Sequence, residues 1–122
     1  MWAERKTVTV TVDASGDGIG YTDMVTGRVL QVRYVKTDFA DGVDFTITAE
    51  ATGETIWAET NVNASATRAP RQATHSTAGA AALYAAGGQA VLDHVVLAND
   101  RVKIVVAQGG VTTSGTFHVL IG

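Results

Sequence analysis

The sequence predicts an all-β protein: one antiparallel β-sandwich of seven or eight strands, jelly-roll-like or immunoglobulin-like, with one long arm and a short helix. Three observations carry that prediction. Apolar and polar residues alternate in several segments, the period of two that belongs to half-buried strands. Gly is abundant, at 13 of 122 residues, and punctuates the chain at short intervals, whereas the single proline is Pro70. The apolar content comes largely from Ala and Val, Thr recurs throughout, and Leu, Glu and Lys are too sparse for a helical bundle.

The first strand is "TVTVTV", Thr7–Val12, with Val8, Val10 and Val12 on one face and threonines on the other. "DASGDGIG" follows as a tight reversal, and residues 21–26 read as a short second strand. In "RVLQVRYV", Arg28–Val35, Leu30, Val32 and Tyr34 share one face. "DFTITAE" places Phe45, Ile47 and Ala49 on one face, and the glycine turn "ATGET" leads into "TIWAET", so these two strands pair as a hairpin. "QAVLDHVVLA" (Gln89–Ala98), "RVKIVVAQ" (Arg101–Gln108) and "TFHVLIG" supply the remaining strands, joined by "AND" and "GGVTTSG". Asn61–Gly88 breaks the pattern. It is long, lacks a period of two, and reads as an extended arm followed by a short helix over Ala78–Ala86, stopped by Gly87–Gly88 and lying over one end of the sandwich.

A length of 122 residues fits a single domain, 1–122, with an N-terminal segment 1–6 and the arm 61–88. The net charge of −3 offers no basic surplus to gather on one face, so direct nucleic-acid binding is not expected. Cys is absent, which removes disulfides, thiolate metal sites and cysteine nucleophiles. The start, "MWAERKTVTV", holds no apolar stretch of signal-peptide length, and no segment approaches the ~18 consecutive apolar residues of a membrane span. The expectation is a soluble product made in the cytoplasm.

Asp38, Asp41 and Asp44 fall at three-residue intervals. A calcium loop needs oxygen ligands at alternate positions and a closing bidentate Glu, and paired catalytic carboxylates need contrasting environments. The Asp41–Gly42 step is instead a turn signal, so this stretch is read as a hairpin or loop and not as a metal site. His75, His94 and His118 lack the short spacing of zinc ligands and are read as separate, although His94 and His118 are placed on strands that can pair. No nucleophile elbow surrounds Ser65, Ser76 or Ser114, and "GDGIG" lacks the helix a phosphate loop requires. No catalytic residue, cofactor or metal is expected, and the chain is read as no enzyme. Trp57 is assigned to the core. Trp2, near a terminus, is poorly buried unless a partner covers it. Arg68 and Arg71, flanking Pro70, serve either solubility or docking onto an acidic neighbour, with arginine favoured at interfaces.

In "RYVKTDFADGVDFTITAEATGETIW", "ETNVNASATRAPRQATH", "AGAAALYAAGGQAV", "LANDRVKIVVAQGG" and "VTTSGTFHV", the chain resembles small structural proteins encoded among the head genes of tailed bacteriophages. The resemblance runs from about Arg28 to the C-terminus. It implies a non-enzymatic virion component, first a capsid decoration (cement) protein on the capsid surface, second a head–tail or tail component. The partners it implies are the major capsid protein and copies of the chain itself, as dimer or trimer, with no direct nucleic acid and no membrane. Trp2, Arg5, Arg68, Pro70 and Arg71 are the expected partner contacts. A reading of another class is a small-ligand or carbohydrate-binding module, which requires Trp57 or Tyr34 to lie exposed on a sheet face.

Overall fold

In a computed structural model, described for residues 2–122, the chain is all-β and β-sandwich-like, with two antiparallel sheets. Among the described residues there are ten strands: β1 (Glu4–Thr11), β2 (Gly18–Tyr21), β3 (Val25–Lys36), β4 (Val43–Ala49), β5 (Thr55–Val62), β6 (Ala66–Arg68), β7 (Arg71–Ala73), β8 (Leu92–Asp100), β9 (Val102–Ala107) and β10 (Ser114–Ile121). One sheet has six strands in the order β1-β10-β3-β8-β7, with β6 also on β3; the other has four, in the order β2-β9-β4-β5. Met1, the first residue of the expected N-terminal segment, lies outside the described residues, while Glu4–Lys6 belong to β1.

The alternating segments form strands as their periodicity dictates. Val8, Val10 and Val12 are buried, as are Phe45, Ile47 and Ala49, and β4 pairs with β5 as expected. From the six-stranded sheet Tyr34 and Phe117 meet Phe45 of the four-stranded sheet, with ring centroids 4.6 Å and 4.9 Å apart. Trp57 packs edge-on against Phe45 at 5.6 Å, and Phe39, from the β3–β4 connection, closes over Tyr34. Burial of each large side chain contributes about 1.5–3 kcal/mol, so this aromatic cluster is the energetic centre joining the sheets.

Four expectations are corrected. The second strand is Gly18–Tyr21 and not residues 21–26. Its inward positions are glycines: a Cβ on Gly20 would lie 2.7 Å and 2.8 Å from the side chains of Val10 and Val8, so "GDGIG" is a turn running into a strand that must approach β1 closely. In β3 a bulge between Leu120 and Ile121 of its partner moves the inward position from Leu30 to Val29, while Val32 and Tyr34 point inward as expected.

The other two corrections concern the arm. Among the described residues no helix forms, over Ala78–Ala86 or elsewhere. Gly79 and Gly87 take positive φ (84° and 71°), and His75–Ala81 and Leu83–Ala90 make isolated β-bridges. An alanine run this short cannot repay helix nucleation without an apolar face to bury. The strand count rises to ten because the expected arm contributes β6 and β7, and its first residues, Asn61 and Val62, belong to β5.

Candidate interaction site

The most unusual segment follows β6. Strand β8 pairs with β3 only from Val95 onward, because β6 occupies the edge of β3 at Val32–Tyr34. The first residues of β8 therefore splay away and pair with β7, and the chain between β7 and β8 forms a projecting lobe. Thr74 N–H donates to Val91 O (2.9 Å), Ala82 N–H to Thr74 O (3.0 Å) and Val91 N–H to Ala82 O (3.0 Å), so three segments close a triangle of backbone hydrogen bonds. Tyr84 N–H donates to Gln89 O and Ser76 N–H to Ala80 O, which extends two sides of it.

No residue from Arg71 to His94 is buried. Leu83, Tyr84 (76% exposed) and Leu92 present apolar surface to solvent. From Thr60 to Leu92 the chain contains no Asp or Glu, and its charged residues there are Arg68 and Arg71. Ordering backbone costs about 1–2 kcal/mol per residue, and this lobe offsets that cost with hydrogen bonds and almost no burial. Instead of lying over an end of the sandwich, it leaves from the flank of the six-stranded sheet.

The expected contact residues separate. Arg68 does not point outward as a free cation: its Nε and Nη2 each donate to the Glu59 carboxylate at 2.8 Å, and its guanidinium lies over Trp57. Pro70 is buried. Arg71 is exposed on β7 and donates to the Pro70 and Leu30 carbonyls, with no carboxylate in salt-bridge reach among the described residues. Trp2 is 91% exposed and precedes β1, and Arg5 is exposed on β1, the edge strand farthest from β7 in the six-stranded sheet.

The three aspartates are committed separately, Asp38 and Asp41 in the loop that crosses between the sheets and Asp44 at the start of β4. Asp38 accepts from Ser114 N–H, Asp41 pairs with Lys36, and Asp44 accepts from Asn61 N–H and the Gln108 amide. Among the described residues no group of three or more His, Asp or Glu gathers as metal ligands. His94 and His118 are not on paired strands, since β3 lies between β8 and β10. Asp93 accepts from the His94 backbone N–H at 2.7 Å and lies 3.4 Å from the His94 Nδ1, and these hydrogen bonds hold its carboxyl below the ordinary range. Trp57 and Tyr34 are core residues, so the exposed aromatic platform required by a carbohydrate module is not formed by them.

One surface was hidden by the sum of charges. The basic residues do gather, on the outward side of the six-stranded sheet, where Arg5, Arg28, Arg33 and Arg71 fall on a common face. Alternation within β1 and β3 places Arg5 and Arg33 outward, but only the strand order brings them together.

No protein-family model matches the chain, and no curated protein matches it significantly.

Proposed function

We propose that this chain is a non-enzymatic structural protein of a tailed-bacteriophage virion, a capsid decoration (cement) protein that is made in the host cytoplasm, binds the major capsid protein and stabilises the head. The observation that carries the reading is the projecting lobe: an ordered segment with no core of its own, acid-free and edged by exposed Leu83, Tyr84 and Leu92, is suited to docking and not to catalysis. The strand order supports it. Setting aside β6 and β7, the sheets read β1-β10-β3-β8 and β2-β9-β4-β5, the double Greek-key order of a jelly roll, an architecture frequent in viral capsid domains. In this reading β6, β7 and the lobe are an insertion between the fifth and sixth of eight jelly-roll strands. The resemblance of the Arg28–Gly122 region to phage head-gene products points the same way.

The test is a phage lacking the gene. Heads that release DNA more readily on heating, and that regain resistance when the purified protein is added back, support the proposal. Heads of normal heat resistance that lack tails would move the protein to the head–tail junction.

A further inference from the structure

We propose that the outward face of the six-stranded sheet docks the acidic loop end of a second copy of this chain. Residues directly opposite in an antiparallel pair share a face. Val8 with Phe117 and Tyr34 with Phe117 point into the core, which fixes the intervening pairs as outward: Arg5 with Leu120, Thr7 with His118, His118 with Arg33. Across β3 and β8, Val29 with Val95 is inward, so Arg28 with Val96 is outward, and two residues along β8 the pair His94 with Arg71 is outward too. Four arginines and two histidines thus occupy this face, and its paired outward positions carry no Asp or Glu; at the β8 side the Asp93 carboxylate lies 3.4 Å from His94 Nδ1 and Arg28 Nε donates to Gly122 O, so Arg5 and Arg33 are the arginines on which the docking rests. The face spans four strand spacings of about 4.8 Å, nearly 20 Å from Arg5 to Arg71. The same face carries Thr7, Thr9, Thr116, Thr67, Leu120, Gln31 and the exposed Val96 among the arginines.

The complement is on the same molecule. At one end of the sandwich the loops 12–17, 37–42 and 108–113 are tied together, Gly109 N–H donating to Gly16 O, Ala40 N–H to Gly109 O and Thr112 N–H to Asp13 O. This end exposes Asp13, Asp17, Asp38 and Asp41, its loops contain no Lys or Arg, and Val111 stands exposed among them. Lys36, at the base, pairs with Asp41. A chain of net charge −3 therefore separates a cationic face from an anionic end, each with an apolar side chain at hand. Arginine forks match carboxylates in pairs, and such complementarity selects partner and register. A protein partner fits better than nucleic acid, because the paired outward positions carry no Phe, Tyr or Trp on which successive bases could stack. A face-to-end contact is heterologous, so it propagates into a ring or a chain of copies. The inference does not depend on the virion reading.

Sedimentation velocity of the full chain tests it. Wild-type protein should associate at low ionic strength and dissociate at least about tenfold more readily near 0.5 M salt, where exposed charges are screened. The variants Arg5→Glu/Arg33→Glu and Asp17→Lys/Asp41→Lys should each stay monomeric, and mixing them should restore association, because each then offers the other a complementary surface. If either charge reversal fails to fold, Arg5→Gln/Arg33→Gln and Asp17→Asn/Asp41→Asn replace them, each expected to weaken association. A wild type that stays monomeric at every salt concentration, or mixed reversals that associate no better than each alone, overturns the proposal. So does a single-stranded oligonucleotide that binds the face and leaves self-association absent.

Discussion

Arg68 lies 5.5 Å above the ring of Trp57, and the same guanidinium grips Glu59, whose Oε1 also accepts the Trp57 indole N–H at 3.0 Å. A residue from β6, in the six-stranded sheet, is thereby fastened to two residues of β5 in the other sheet. The open flank of the sandwich is closed by this triad instead of by another strand.

Arg68→Ala should consequently lower the melting temperature. The pair with Glu59 is partly exposed and contributes little alone, and the stacking on Trp57 adds to it, so a loss of about 1 kcal/mol is expected. Arg71→Ala, which removes only donors to carbonyls, should change thermal unfolding much less.

The same triad sets an acid dependence. Hydrogen bonds from Arg68 hold the Glu59 carboxyl below its ordinary 4.5, and Arg101 does the same to Glu50. A lowered folded-state value means that the stabilisation is complete above pH 4.5 and is lost as the pH falls through the lower, folded value. Melting temperature measured from pH 6 to pH 3 should fall below about 4.5, and Glu59→Gln should flatten part of that fall.

Tyr34 gives a prediction of the opposite sign. Its ring is fully buried among Phe39, Phe45 and Phe117, and its hydroxyl has no hydrogen-bond partner among the described residues. Burial, followed by the negative charges of Asp38 and Asp41, pushes that hydroxyl up to about 12. Tyr34→Phe should leave stability unchanged or raise the melting temperature by up to about 4 °C, because it removes an unsatisfied polar atom and keeps the packing. Tyr34→Ala should cost about 3–5 kcal/mol by opening a cavity.

Calcium should have no effect on thermal unfolding. Asp38, Asp41 and Asp44 are each committed to a different neighbour. Melting curves with chelator and with excess calcium should superimpose; a rise of many degrees would mean that the carboxylates reorganise around the ion.

Excising the lobe should spare the fold. Thr74 and Val91 already face each other through a 2.9 Å hydrogen bond, so an Asn-Gly turn in place of residues 75–90 closes a hairpin between β7 and β8. The shortened protein should unfold cooperatively within a few degrees of the wild type, since no core residue is removed.

Legibility in the sequence followed burial. Strands β1, β4, β9 and β10 alternate because one face of each lies in the core, and their positions were readable to within a few residues. Strand β2 was misplaced because its inward residues, Gly18 and Gly20, carry no apolar signal. β6 and β7 are three residues long and exist through pairing with β3 and β8, which no local pattern announces. The role of Arg68 was hidden for a related reason, since its partners Trp57 and Glu59 lie on another sheet. A signal was present in hindsight: the acid-free run from Thr60 to Leu92 follows directly on Glu59.

The pairing of β1 with β10 has a consequence for synthesis. Thr7 and His118, adjacent in the sheet, are 111 residues apart in the chain. At about 5–20 residues per second, roughly 5–20 s separate the appearance of the first strand from that of its partner on the ribosome. Throughout that interval "TVTVTV" is a β-prone segment of alternating Thr and Val with no neighbour to complete it, the kind of sequence that pairs with another nascent copy. Closure must wait for the last strand, and folding dominated by such distant pairings runs on the millisecond-to-second scale. Yield during expression is therefore expected to be limited by the crowding of unfinished chains, and slower initiation or lower temperature should improve it more than any change to the finished surface.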